Sequence, residues 1–592
     1  MKKIVLLFLL LCSGSFIFSQ VSSDPSNEFY SCVEKWETLG IIEIQPSLRP
    51  YPLSLVEDIL NKVISSDSEQ ENEIAKQIYQ KTFNRPWNVM VNAHVNGQQQ
   101  ENDFLMNMRA KYGVEGDIKL FDNCSAGYQL DFLTAVKPDY ELLPLYRATP
   151  YYMADGYGKI KNYLEIDGNF AAGFGDFVFQ TGINHNSFGP FYSDSLVLSD
   201  NAKHTASFSL SYYGNNWAFT EAMFILNATN AVNFENKLPN KWLMLHSVDV
   251  NLTDWLSGSF YETVIYGNRF DPSYLIPMFY MVTQGVTGYA DDNLFMGGTL
   301  VFRPMKGLEW DMDLYLDDIG FTSLKTYKDM RIRCAGATGI KYIPKNLSAV
   351  KMLKLNYTMM SPYMYSHVQY DDVSYGHPAA MTKPNYQIYT TSGYALGTSL
   401  EPNSDRVSLS AELKPVEGLN INIGGTLIRH ANVSEGLTDK EKLSYLASAP
   451  DYFSTDGSIT QHPIYLENGD TSVYGYMPSA WNKMMFLTQD TIEYTVQADL
   501  DVSYDFPETK YGKFGIGLGY TFEYIHNYGV GNQMFPGQGW FYNSSDEKFY
   551  KDASFTNEVD TAAELDAAYN NWKSSLKDLM HHYLRLNFSY SF

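Results

Sequence analysis

Sulfur chemistry is nearly absent from this chain. One of its four cysteines, Cys12, falls within the first twenty residues; the other three, Cys32, Cys124 and Cys334, are odd in number and lack metal-like spacing, which argues against a disulfide framework and a zinc motif. After residue 20 no stretch approaches the ~20 consecutive apolar residues that a membrane-crossing helix needs, so any membrane-spanning role falls to strands. Positive charge is also scarce: 43 lysines and arginines stand against 67 aspartates and glutamates, a net charge of −24. Such a field repels phosphate backbones, and no nucleic-acid partner is expected. Signatures of catalysis are missing too. There is no GxSxG, no HExxH and no phosphate loop, and the eleven histidines are scattered. The adjacent His581 and His582 point to opposite faces of a strand. The chain is therefore expected not to be an enzyme, with no catalytic residues, no cofactor and no metal ligands.

What is present points to the cell envelope. Lys2 and Lys3 precede an apolar run at residues 4–11, and small and polar residues follow to Gln20, the layout of a secretory signal peptide over 1–20. Lipidation at Cys12 is disfavoured, because Leu11 stands where a lipoprotein signal carries a small residue. Aromatic residues make up 15% of the chain, and rings with a polar edge collect at bilayer interfaces as the girdles of barrels.

The segment 21–86 reads as a small helical module. Phe29, Val33 and Trp36 recur on one helical face, and Gly40 supplies a stop. A second helix is expected after Pro50 and Pro52, with Ser54 and Glu57 spaced as a capping box and Leu53, Val56, Leu60 and Val63 as its buried stripe. A third covers about 69–83, with Ile74 and Ile78 as its apolar pair.

At Trp87 the period changes from helical to two and stays so through 592. In 492–506, Ile492, Tyr494, Val496, Ala498, Leu500, Val502, Tyr504 and Phe506 share one face, opposite Glu493, Gln497, Asp499, Asp501 and Asp505. The same alternation runs through 87–95, 104–114, 124–132, 204–212, 310–316, 407–413 and 514–524. Strands with a greasy face and a wet face suit a lipid-facing barrel around water. A soluble β-sandwich also alternates, but the export signal, the long strands without domain linkers and the ending on Leu584, Leu586, Phe588, Tyr590 and Phe592 favour a barrel. That ending resembles the strand read by outer-membrane assembly machinery. Segments 432–483 and 526–577 read as long loops, the second with a short helix over 561–576.

Three stretches resemble the capsule-assembly Wzi family of outer-membrane proteins: VEKWETLGIIEIQPSLRPYPLSLVEDIL at 33–60, TGINHNSFGPFYSDSLVLSDNA at 181–202, and YETVIYGNRFDPSYLIPMFYM at 261–281, the last followed by DDNLFMGG and DLYLDD. The resemblance covers about 30–320. It departs after Ala202, where the family runs into a proline-rich apolar stretch and this chain goes through Lys203 and His204 straight into a strand. The resemblance implies an all-β transmembrane barrel of about 18 antiparallel strands, with the helical module at the periplasmic mouth. It also implies a monomer in outer-membrane lipid that holds surface or capsular polysaccharide on the cell. By matching motif positions it implies Glu262, Tyr266, Arg269, Asp292, Asn293, Asp317 and Asp318 as ligand-binding residues. A plainer reading stands beside it: Glu262 paired with Arg269 or another lumen base, and Asp317 and Asp318 ending a strand. A transport channel for solutes, cations or hydrophobic molecules, and a surface adhesin, are the other functions compatible with these residues.

Overall fold

The computed structural model describes residues 28–592 except 85–86, 101–102, 122, 137–141, 147–159, 200, 231–237, 289–291, 321–330, 346, 348, 367–383, 440–441, 444–484, 533, 535–539 and 544. The expected signal peptide and most of the 432–483 loop lie outside the described residues.

Three helices come first: α1 (Glu28–Thr38), α2 (Leu53–Ile64) and α3 (Glu69–Phe83). Their apolar stripes meet in one core of Phe29, Val33, Trp36, Val56, Leu60, Val63 and Ile78. Gly40 ends α1 in a left-handed conformation, φ +64°, which only glycine adopts without strain. The capping box expected at Ser54 and Glu57 does not form. Pro52 is the cap residue, with no side-chain bond, and Glu57 instead reaches Lys119 at 3.0 Å and accepts from Tyr79 at 3.1 Å. Proline has already preset the backbone for helix entry, so the serine sits inside the first turn.

Eighteen antiparallel strands then close into a barrel. They are β1 (Asn88–Gln100), β2 (Asp103–Phe121), β3 (Cys124–Val136), β4 (Ile160–Phe174), β5 (Phe177–Asn184), β6 (Thr205–Tyr213), β7 (Trp217–Asn230), β8 (Leu238–Thr253) and β9 (Leu256–Gly267). There follow β10 (Asn293–Met305), β11 (Leu308–Gly320), β12 (Arg331–Tyr342), β13 (Val350–Met360), β14 (Ser404–Val416), β15 (Leu419–Ala431), β16 (Ile492–Asp505), β17 (Lys513–Tyr528) and β18 (Lys577–Ser591). The ring closes where β1 pairs with β18 in an unbroken register from Met90–Ser591 to Gln100–His581. Closure leaves no unpaired sheet edge for hydrocarbon to meet. Among the strand faces pointing away from the lumen, Phe104, Met108, Phe132, Leu164, Phe208, Leu300, Leu409, Leu500, Leu518 and Phe588 are exposed, a belt whose natural solvent is acyl chains. The chain is an outer-membrane barrel, with its short turns at the periplasmic end and its long loops outside.

The lumen is not uniformly wet, as simple alternation suggests. Strands β14–β18 and β1–β4 do carry polar groups inward. Glu523, for example, accepts from Gln497 at 2.8 Å, His581 at 2.9 Å and Tyr583 at 3.0 Å. Strands β7–β13 instead turn Phe224, Leu243, Leu245, Tyr261, Ile265, Phe295 and Tyr315 inward, where loop residues Phe188, Leu196, Val197, Tyr365, Tyr389 and Leu396 pack on them. Phe295 stacks on Tyr315 at 5.1 Å and Tyr365 on Tyr389 at 5.0 Å. Infolded loops have replaced water on that side.

The helical module seals the short-turn mouth through ion pairs with inward-facing side chains. Glu34 meets Lys354 at 2.7 Å and Lys341 at 3.3 Å. Lys341 also holds Asp311 at 2.8 Å and Glu309 at 3.0 Å. Arg303 donates to the carbonyls of Glu37 at 2.7 Å and Ile42 at 2.9 Å. Burial works to raise the Glu34 carboxyl, but the two lysines outweigh it and bring it down to about 2. Burial, with Glu309 nearby, pushes the Glu37 carboxyl up to about 7.

Two outcomes follow. Leu409→Arg, at a position 59% exposed on the belt, is expected to cost about 2–4 kcal/mol in refolding into lipid vesicles, against a much smaller loss for Ser410→Arg on the inner face. The docked module is expected to respond to pH in two windows. From pH 4.5 to 7 the native Glu37 holds a proton that the undocked one has lost, so docking weakens with rising pH by up to about 1.4 kcal/mol per unit. From pH 4.5 down to 2 the native Glu34 stays charged while the undocked one protonates, so docking weakens as pH falls. Limited proteolysis of the module across pH, compared with Glu37→Gln, checks both: the variant flattens the neutral limb alone.

Candidate functional site

Strand alternation decides where the seven residues implied by the resemblance point. On β9, Tyr261, Thr263 and Ile265 enter the lumen core, so Phe260, Glu262, Val264 and Tyr266 lie on the outer wall. On β8 the same parity sends Lys241, Leu243 and Leu245 inward and Trp242, Met244 and His246 outward. Glu262 therefore does not pair with a lumen base or with Arg269. It stands directly opposite His246, which in turn stands opposite Glu221 of β7. His246 Nε2 lies 2.9 Å from Glu262, and its Nδ1 is 3.7 Å from Glu221. The result is a carboxylate–imidazole–carboxylate row on the face of the wall that carries the apolar belt.

The segment after β9 folds outward and roofs this row. Asp271 caps the turn Pro272–Leu275 by accepting from the Ser273 backbone N–H at 3.0 Å. Helix α4 (Tyr280–Thr287) follows. Its inner face presents Tyr280, Thr283 and Gln284, while Met281, Val282 and Val286, the last 80% exposed, face away with Phe279 and Met278. The Tyr280 backbone N–H donates to Glu262 at 2.9 Å and its hydroxyl to Glu221 at 2.8 Å, with its ring 4.2 Å from the His246 ring. Arg269 grips Asp292 with both terminal nitrogens, one at 3.1 Å, and lies over the Tyr266 ring. Tyr274 donates to Asp292 at 2.6 Å.

The structure thus gathers Glu262, Tyr266, Arg269 and Asp292 under one flap and separates them from the rest. Asn293 and Asp317 face the lumen, where Asn293 donates to the Gln387 carbonyl at 2.9 Å and Asp317 accepts from the Tyr365 backbone N–H at 3.2 Å. Asp318 lies in β11 opposite Arg333, beyond a register shift at Leu316, and its side chain is outside the described residues. Sequence reading missed Glu221, His246, Tyr274 and Tyr280. The readable signal was a single histidine on an otherwise apolar strand face, Trp242, Met244 and Val248.

Chemically the gathered groups bond to one another and act as a latch. The flap's greasy side meets lipid, and its tyrosine side shields charge that lipid cannot solvate. His246→Leu leaves two facing carboxylates buried without their base, and is expected to lower stability by about 3–5 kcal/mol and expose 268–288 to protease. Tyr280→Phe, which removes one donor, is expected to cost less, about 1–3 kcal/mol. Urea midpoints and the cleavage pattern in detergent check both.

No family model and no curated protein sequence matches the chain. Among solved structures it is similar to Wzi of Escherichia coli, described as an outer-membrane carbohydrate-binding β-barrel involved in group 1 capsule assembly, with 11% identity and a TM-score of 0.49 over 96% of this chain and 99% of that one. It is also similar to OprD of Pseudomonas aeruginosa, at 9% identity and a TM-score of 0.37 over 86% of this chain and 93% of that one. A third similar structure is OccAB2 of Acinetobacter baumannii, at 10% identity and a TM-score of 0.40 over 86% of this chain and 99% of that one.

Proposed function

We propose that this outer-membrane barrel binds or anchors surface or capsular polysaccharide at its long-loop face, without catalysis, and is not a conduit for solutes. The observation that carries this reading is how the described residues occupy the lumen: an apolar core of infolded loops fills one side, and a helical module held by the Glu34–Lys341–Lys354 pairs stands in the periplasmic mouth. A pore needs a continuous watery path, whereas a surface anchor needs only a rigid rim.

The rim supplies sugar-compatible chemistry. Trp540, Phe549, Val559, Leu565 and Trp572 pack with Val433 and Leu437 into a cap over the long-loop end, with α5 (Thr561–Ser575) as its helix. On its surface Phe541 and Phe555 are 44% and 42% exposed. Sugar rings stack on such faces, and Asp546, Lys548 and Lys551 nearby offer hydrogen-bond partners for hydroxyls. The motif resemblance at 33–60, 181–202 and 261–281 supports the same reading. Within it, six of the seven residues it implies act by shaping the rim: Glu262, Tyr266, Arg269 and Asp292 hold the flap, and Asn293 and Asp317 hold the infolded loop on which the cap rests.

Two measurements test the proposal. In planar bilayers the purified barrel is expected to show no steady ionic current. Polysaccharide extracted from the producing cell's surface is expected to bind, and Phe541→Ala with Phe555→Ala to weaken that binding roughly five- to hundredfold, since each ring contributes about 0.5–1.5 kcal/mol. A large steady conductance, or binding unchanged by the double substitution, overturns it.

A further inference from the structure

The barrel wall thins above β5 and β6. These are its shortest strands, of eight and nine residues, and β4 pairs with β5 only from Gly168 onward. The segment of β4 from Ile160 to Asp167 thus has a partner in β3 but none in β5. At this seam the inner face of β4 brings Glu165 and Asp167 against His185, just after β5, and His204, just before β6. One ligand atom each from Glu165, His185 and His204 lies within 4.8 Å of the others. The two imidazole rings are 3.7 Å apart, centre to centre.

The detailed geometry also suits a metal site. His204 Nδ1 sits 2.5 Å from Asp167 Oδ1, and its Nε2 sits 3.0 Å from Glu165 Oε1. That Nε2 is shut off from solvent and faces the carboxylate oxygen, so the two ligand atoms meet in a space closed to water. Two donors ~2.0–2.1 Å from one tetrahedral zinc ion lie roughly 3.3–3.4 Å apart, so the 3.0 Å pair needs to open by a few tenths of an ångström to take the ion. Asp167 meanwhile occupies the place of the carboxylate that orients a metal-bound histidine through its far nitrogen. Lys111 spans Glu165 at 3.1 Å and Asp131 at 2.8 Å, holding the second oxygen of Glu165 away from the imidazoles.

The geometry points to a binding site for a first-row divalent cation, zinc for preference, formed by Glu165, His185 and His204 with Asp167 behind His204, and acting as a clasp across the seam between β4 and the β5–β6 connector. Two imidazoles and one carboxylate favour zinc over magnesium or calcium, which take oxygen donors. The clasp also bears on the plug, because Ser187 and Phe188, two and three residues after His185, pair with Arg49 and Leu48 of the helical module's connector. This site is independent of any glycan bound at the rim.

The test uses the full barrel, without a histidine tag, in detergent. After zinc chloride loading and dialysis, elemental analysis is expected to find about one zinc per chain and little magnesium under matched loading. Zinc is expected to slow proteolysis within 185–204. His204→Gln and Glu165→Gln are each expected to weaken zinc at least tenfold, and Asp167→Asn, which does not touch the metal, by about 10–100-fold. If His204→Gln fails to give the heat-modifiable mobility of a closed barrel, His185→Gln takes its place. Folded wild-type barrel that retains no zinc, magnesium retained as well as zinc, or zinc retained equally by the His185→Gln, His204→Gln double variant overturns the assignment.

Discussion

Hydrocarbon cannot hydrogen-bond a peptide group, and the rest of this structure follows from meeting that constraint. The last strand returns to the first, with Val89 and Phe592 exchanging backbone bonds of 2.8 and 2.9 Å beyond the end of the β1–β18 register. Once the ring is sealed, every side chain is assigned by parity to lipid or to lumen. A slip of one residue in any pair would turn a whole strand inside out.

The same constraint explains two features that break the simple pattern. A Glu221–His246–Glu262 row on the outer wall would be intolerable to acyl chains if left bare. The chain therefore carries its own shield, a flap whose Tyr280 donates to both carboxylates and whose Met281, Val282 and Val286 face outward. Above the short β5 and β6 the ladder lapses, and there the inner surface concentrates carboxylates and imidazoles. At that seam side chains take over work that backbone pairing does elsewhere.

Inside, the lumen is divided by chemistry. Strands β14–β18 and β1–β4 bond polar side chains to one another, as at Glu523. Strands β7–β13 bury aromatic rings against loops. The helical module closes the end through charges, which makes its grip sensitive to proton concentration in a way that the aromatic core is not.

Period-two alternation was legible wherever the two faces of a strand meet different solvents, so the strands at 492–506, 514–524 and the C-terminal end could be read from residues alone. It was illegible in β7, β8 and β9, because there lipid and a packed loop core both select apolar side chains, and Ala222, Met223, Phe224 and Ile225 carry no period. The helical module was readable because its stripe of Phe29, Val33 and Trp36 is local, and even the helix at Thr561–Ser575 showed its pattern. The likeness of motifs named residues but not the side of the wall on which they work. His246 is 16 residues from Glu262 and 25 from Glu221, and Glu165 lies in β4 while His185 and His204 stand at the two ends of the β5–β6 connector; only strand register brings such groups within bonding distance. Local periodicity is written in neighbouring residues, whereas a cross-strand row exists only after the ring has closed.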